Sequence, residues 1–188
     1  NKKTGGYMTM LPDYNMPFVF ANFNATYTDI DVITHECGHA FQGYLTANDP
    51  IREHNDITME TAETHSMSME FFTEPWMNLF FGDRAADYIQ MHFENAVTFI
   101  PYGTMVDEFQ NIVYEKPEMT PAQRRELWRE LEKQYKSHLD YGDNDYLSGG
   151  GFWQKQHHIY DSPLYYIDYC IAGTNALAYK VWMDEDFQ

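Results

Sequence analysis

The chain is poor in cysteine, in basic residues and in long apolar runs, and each shortage excludes something. Two cysteines in 188 residues, Cys37 and Cys170, rule out the dense disulfide framework that staples small secreted domains. Both are expected to be small buried residues, Cys37 inside a candidate helix and Cys170 in an apolar, tyrosine-rich stretch. That usage fits a reducing compartment, and a cytoplasmic location is expected. Lys and Arg number 12 against 29 Asp and Glu, for a formal net charge of −17. Such a balance has no electrostatic footprint for nucleic acid, and none is expected as a partner. No apolar run approaches the roughly 20 residues that span a bilayer, no secretory leader is read at the N-terminus, and no membrane partner is expected. The sequence also lacks internal repeats and low-complexity linkers.

What is present is aromatic and patterned. Hydrophobic residues make up 44% and aromatics 17%, with 15 Tyr, 13 Phe and 4 Trp, enough for one folded domain with a sizeable core. The acidic residues are spread along the chain, as on a solvated surface. Residues 5–11 and 17–23 are short aromatic or β-branched runs around the turn-like Pro12-Asp13-Tyr14-Asn15, which predicts a small β-ribbon. A first long helix is expected over 29–47, with Thr28 as N-cap and Asp29 and Asp31 at its positive end. Its apolar face reads Ile30, Ile33, Cys37, Ala40, Phe41, Tyr44 and Leu45. Further helices are expected over 57–73, 83–98 and 102–114, the last two separated near Pro101. Thr120-Pro121 opens a charged helix over 122–139, its charged face expected in solvent; a loop over 141–151 and helices over 152–160 and 163–184 complete the chain. The architecture is mainly α with a minor ribbon.

One stretch inside the first helix carries chemistry: His35-Glu36-Cys37-Gly38-His39, the H-E-x-x-H pattern. Residues i and i+4 lie on one helical face, so the two imidazoles can share one Zn²⁺, and Glu36 beside them can work as a base on water. A catalytic zinc needs three protein ligands. The second helix offers Glu60, Glu63, His65 and Glu70, and spacing alone does not choose between Glu60 and Glu63, which are neighbours on one face.

His35-Glu36-x-Gly38-His39-Ala40-Phe41, followed by Glu63-x-x-Ser66 and Glu70, resembles the thimet oligopeptidase and oligoendopeptidase F family of zinc metallopeptidases. In that family the third ligand is a Glu in a Glu-x-x-Ser context about 28 residues after the first His. Glu63 lies 28 residues after His35, so the resemblance selects it over Glu60. The fold implied is a mainly α, zincin-like helical metallopeptidase catalytic domain with a small β-ribbon near the N-terminus. Residues 1–188 correspond to a single catalytic domain, the C-terminal part of a longer oligopeptidase. The resemblance implies one Zn²⁺ per chain on His35, His39 and Glu63, with Glu36 as general base and short peptides as substrates. It extends to Asp31, an acidic residue that could accept the second ring N–H of a zinc histidine or could simply complement the helix dipole.

At the far end, His158-Ile159-Tyr160 and Pro163-Leu164-Tyr165-Tyr166-Ile167-Asp168-Tyr169 are similar to the family segment that contacts substrate and stabilises the oxyanion. Tyr166, Tyr169 and His158 are the residues so implied, with His157 the neighbouring rival. Pro17 to Phe23 is similar to a cleft-lining strand that could pair with substrate. Gly149-Gly150-Gly151 reads equally as a flexible loop near the site or an interhelical turn. The alternative to a working endopeptidase is a truncated or degenerate domain that holds zinc or peptide without turnover.

Overall fold

The structure is a computed structural model, and it describes residues 5–186. A β-ribbon comes first. Strands β1 (Tyr7–Leu11) and β2 (Met16–Phe20) pair antiparallel with Tyr7 opposite Phe20 and Leu11 opposite Met16. The connection is a single 3₁₀ turn, Pro12–Tyr14, closed by Asn15 at φ 48°, a left-handed value that asparagine tolerates well. Tyr7 and Phe20 stack at 5.3 Å, a cross-strand aromatic pair that fixes the register.

Eight α-helices follow among the described residues: α1 Thr28–Thr46, α2 Met59–Phe72, α3 Asn78–Phe81, α4 Ala85–Glu115, α5 Pro121–Tyr135, α6 Asp145–Ser148, α7 His158–Asp161 and α8 Tyr166–Asp186. The mainly α architecture with one small ribbon is as expected. None of the helices is long and apolar enough to cross a membrane. The described chain divides into two compact units, one from residues 5–94 with 171–186 and one from 95–170.

In the first unit, α1 packs on α2 and on both strands of the ribbon. It does so through a face the hydrophobic pattern does not mark. The buried residues of α1 are Thr34, Glu36, Gly38 and Gly43, whereas Phe41, Tyr44 and Leu45 of the expected apolar face are exposed, and Cys37 is exposed as well. The contacts are made by close backbone approach. A Cβ on Gly38 would lie 2.6 Å from Ser66 Cα on α2, and one on Gly43 would lie 2.7 Å from Met10 Sδ on β1. Thr28 does not cap α1 either. Tyr27 precedes the helix in helical conformation, and the start is tied by Asp29, whose carboxylate accepts the backbone N–H groups of Asn24 and Thr26.

In the second unit, Met105, Val106, Phe109, Trp128, Leu131, Trp153 and Tyr166 form the core. Pro101 does not divide a helix pair: α4 runs continuously through it, giving up the one hydrogen bond proline cannot make while packing holds the flanks. Thr120 caps α5 with Pro121 in its first turn, as expected, and the structure adds a capping box in which Thr120 and Gln123 satisfy each other's backbone N–H. Its charged face is not wholly solvated, because Glu132 is 1% exposed and accepts hydrogen bonds from Trp128, Arg129 and Tyr141. Cys170 is buried as expected. Gly150, at φ 78°, is pressed against the Arg125 carbonyl, so the triple-glycine segment is a packed turn.

Candidate metal centre

Helix α1 carries His35 and His39 one turn apart, and their rings meet edge to face at 5.0 Å. Helix α2 brings Glu63 across. Its Oε2 lies 3.1 Å from His35 Nε2 and 3.7 Å from His39 Nε2. A tetrahedral zinc with ligand bonds near 2.05 Å sets its donor atoms about 3.4 Å apart, and the two observed separations bracket that value. Among the described residues this trio is the one group of three His, Cys, Asp or Glu side chains with donor atoms within 4.8 Å of one another. Two neutral-capable imidazoles and one carboxylate suit zinc. Neither Glu60 nor His65 joins the group.

The sequence explains why the helices come this close. Gly38 and Ser66 supply the small surfaces at the crossing. Ser66, wholly buried, also donates its hydroxyl to Glu63 Oε2 at 3.0 Å. The Glu-x-x-Ser spacing is therefore a one-turn clamp that orients the candidate ligand.

Electrostatics separate the two histidines. Burial disfavours charge on His35, but hydrogen bonds to Glu63 and Glu70 outweigh it and push its pKa up to about 10. His39 is held down to about 4 by burial and by the neighbouring His35 cation, which the Glu63 carboxylate does not offset. Glu63 and Glu70 thus concentrate negative charge around His35, a setting that attracts a cation. Glu36 is buried on the same helix, and burial, with Glu63 adding to it, raises its carboxyl pKa against the pull of His35. Gly6 leaves room beside it, since a Cβ there would stand 3.2 Å from Glu36 Oε1 and 2.6 Å from Val32.

The other candidate residues belong to the second unit. His158, Tyr166 and Tyr169 form one aromatic cluster, with ring centroids 5.0 Å apart for His158 and Tyr166, 5.9 Å for His158 and Tyr169, and 5.6 Å for Tyr166 and Tyr169. His158 Nδ1 is 2.6 Å from the Gln156 amide. Its rival His157 stacks on it at 4.4 Å but is largely exposed, with Nδ1 3.6 Å from Asp161.

The sequence model of peptidase family M3 matches residues 1–188. The chain belongs to peptidase family M3. Solved structures agree with that placement. The chain is 54% identical to a protein named as an oligoendopeptidase F, with TM-score 0.95, covering 99% of this chain and 33% of that one. It is 50% identical to PZ peptidase A, solved with an inhibitor, with TM-score 0.95 and the same coverage of 99% and 33%. A third structure, named as an oligoendopeptidase F from Bacillus anthracis str. Ames, is 44% identical with TM-score 0.82, covering 97% of this chain and 29% of that one. This M3 chain therefore spans about a third of the length of these relatives. No curated protein matches it.

Two features of the candidate site differ from the sequence expectation or escape it. Asp31 accepts a hydrogen bond from Tyr88 on α4. The carboxylate that meets His35 Nδ1, at 2.7 Å, belongs to Glu70, two turns beyond Glu63 on α2. Burial opposes charge on Glu70, but hydrogen bonds from His35 and His92 outweigh it and hold its carboxyl below the usual range. His92 gave no signal in the sequence: it is a lone histidine in a helix with no motif around it.

Proposed function

We propose that the chain is the catalytic part of a zinc-dependent endopeptidase that hydrolyses peptide bonds in short peptides. Residues 1–188 act in this reading as one catalytic domain. The observation that carries it is the convergence of His35, His39 and Glu63 at tetrahedral spacing with Glu36 buried beside them. Zinc held by these three residues would supply Lewis acidity, acidifying water and polarising a scissile carbonyl. Glu36 is the general base: it takes the proton of the attacking water and passes it to the leaving amine. Burial makes its carboxylate a stronger base than an exposed one. Glu63 keeps its orientation through Ser66, and His35 keeps its ring plane through Glu70. His158, Tyr166 and Tyr169 are assigned by motif similarity to hydrogen-bond substrate, with a phenolic O–H or imidazole N–H donating to the developing oxyanion.

The test has two readouts on the purified chain. Elemental analysis should find close to one zinc per chain. A quenched short peptide should be cut, with cleavage lost to a chelator and restored by zinc. Zinc without cleavage would reduce the chain to a domain that holds metal or peptide without turnover. Absence of zinc, even after it is added back, would overturn the ligand set.

A further inference from the structure

We propose that His92 is a positioning residue for the metal centre: it holds the Glu70 carboxylate in the orientation that fixes the His35 ring, and so sets the affinity for zinc. The proposal rests on the reading of His35, His39 and Glu63 as zinc ligands.

Glu70 uses its two oxygens on two different histidines. Oε1 meets His35 Nδ1 at 2.7 Å, and Oε2 meets His92 Nε2 at 2.8 Å. The three residues come from α1, α2 and α4, all within the first unit. A carboxylate with one oxygen satisfied and the other enclosed without a donor is costly, and rotation toward water would relieve it. Such a rotation would also withdraw Oε1 from His35 and free that ring to turn. His92 removes the incentive by supplying the second N–H.

His92 is itself unable to move far. It is buried, with Phe71 against one side at 4.8 Å and Tyr88 stacked nearly parallel at 5.9 Å. Tyr88 in turn donates its hydroxyl to Asp31 on α1, one turn before His35. The ring that steadies Glu70 is therefore anchored to the helix that carries the metal-facing histidines. On its far side, His92 Nδ1 faces Glu74 Oε1 at 3.9 Å, and Glu74 Oε2 pairs with Lys180 at 3.1 Å. Imidazole, carboxylate, imidazole, carboxylate and ammonium alternate from His35 to Lys180, so each group in the series has an opposite neighbour.

The competing explanation is that His92 only fills space between Phe71 and Tyr88. His92→Phe separates the two, because it keeps an aromatic ring there and removes the donor. Zinc affinity is measured by competition with a chromophoric chelator, and circular dichroism reports the fold. His92→Phe should weaken zinc binding by up to about 10-fold, within the cost of losing Glu70 itself, the direct outer partner of His35. His92→Gln, whose amide reaches the Nε2 position, should recover most of the affinity, whereas His92→Asn, whose amide stops near Nδ1, should not. In a Glu70→Ala background His92→Phe should cost nothing further.

Unchanged affinity in His92→Phe, or losses that multiply when combined with Glu70→Ala, would overturn the proposal while leaving the ligand assignment intact. If His92→Phe does not fold, the Gln and Asn variants decide, and equal affinity in both is fatal to it. A wild-type chain that binds no zinc would remove the ligand reading and this proposal together.

Discussion

Glu36 and Glu63 carry the same functional group, and the proposed reading gives them different roles, base and ligand, because their surroundings differ. Glu63 is pinned by Ser66 and points at both imidazoles. Glu36 faces Gly6 and is made more basic by burial. Glu36→Gln keeps the shape and removes the base, so zinc per chain should be unchanged while kcat of peptide cleavage falls by roughly 10²–10⁴. Substantial activity in that variant would refute the proton-transfer role. Glu63→Ala should lose zinc on dialysis and Glu60→Ala should keep it; the reverse pattern would reassign the third ligand. At this scale the two histidines were legible because helical geometry alone puts i and i+4 together. Glu63 was legible only through family resemblance, since its rival sits one turn away on a neighbouring position. The sequence left Asp31 open between a histidine partner and a helix-dipole aspartate, and it could not choose because Tyr88, which takes up Asp31, and His92, which meets Glu70, reach the site from a distant part of the sequence.

The element that decides the site is the crossing of α1 and α2, and it is a contact of small residues. Gly38→Ala would place a methyl group 2.6 Å from the Ser66 backbone and 2.8 Å from the His65 carbonyl. Neither can yield as a flexible side chain would, so the helices must part. The expected cost is about 1–3 kcal/mol of stability, together with weaker zinc binding as Glu63 is drawn away from the histidines. Thermal unfolding and chelator competition would check the two effects, and an unaltered affinity would mean the crossing has slack. This contact also explains why the expected apolar face of α1 failed as a guide. Phe41, Tyr44 and Leu45 follow helical spacing correctly, yet what packs in this chain is the glycine side, where backbone approach replaces side-chain burial. Pro101 misled for a related reason: a local breaker was outweighed by packing along α4. The start of α5 was legible because an N-cap threonine followed by proline is local chemistry. Thr120→Ala should cost about 1 kcal/mol and leave zinc affinity untouched, measurable by denaturant unfolding.

For the whole molecule, composition and periodicity gave the class, a mainly α fold with a ribbon, but not its division into two units. No linker marks the boundary because it falls inside α4 and α8, which are continuous helices. That division makes a prediction about zinc. All three proposed ligands lie on α1 and α2 in the first unit. Zinc that binds only the folded site stabilises it by RT ln(1 + [Zn]/Kd), about 2.7 kcal/mol when free zinc is 100 times Kd. Amides that exchange only when α1 and α2 separate should then slow by about 100-fold. Amides that exchange by fraying at helix ends should not respond, because fraying leaves the ligands together. Hydrogen exchange followed by mass spectrometry, at matched pH with and without zinc, reads this directly. The slowest amides of α5, which carries no ligand, report whether the two units open together: slowing there of the same size means one cooperative unit, and none means independent opening. Unchanged exchange across α1 and α2 in a chain that holds one zinc would place the metal somewhere other than His35, His39 and Glu63.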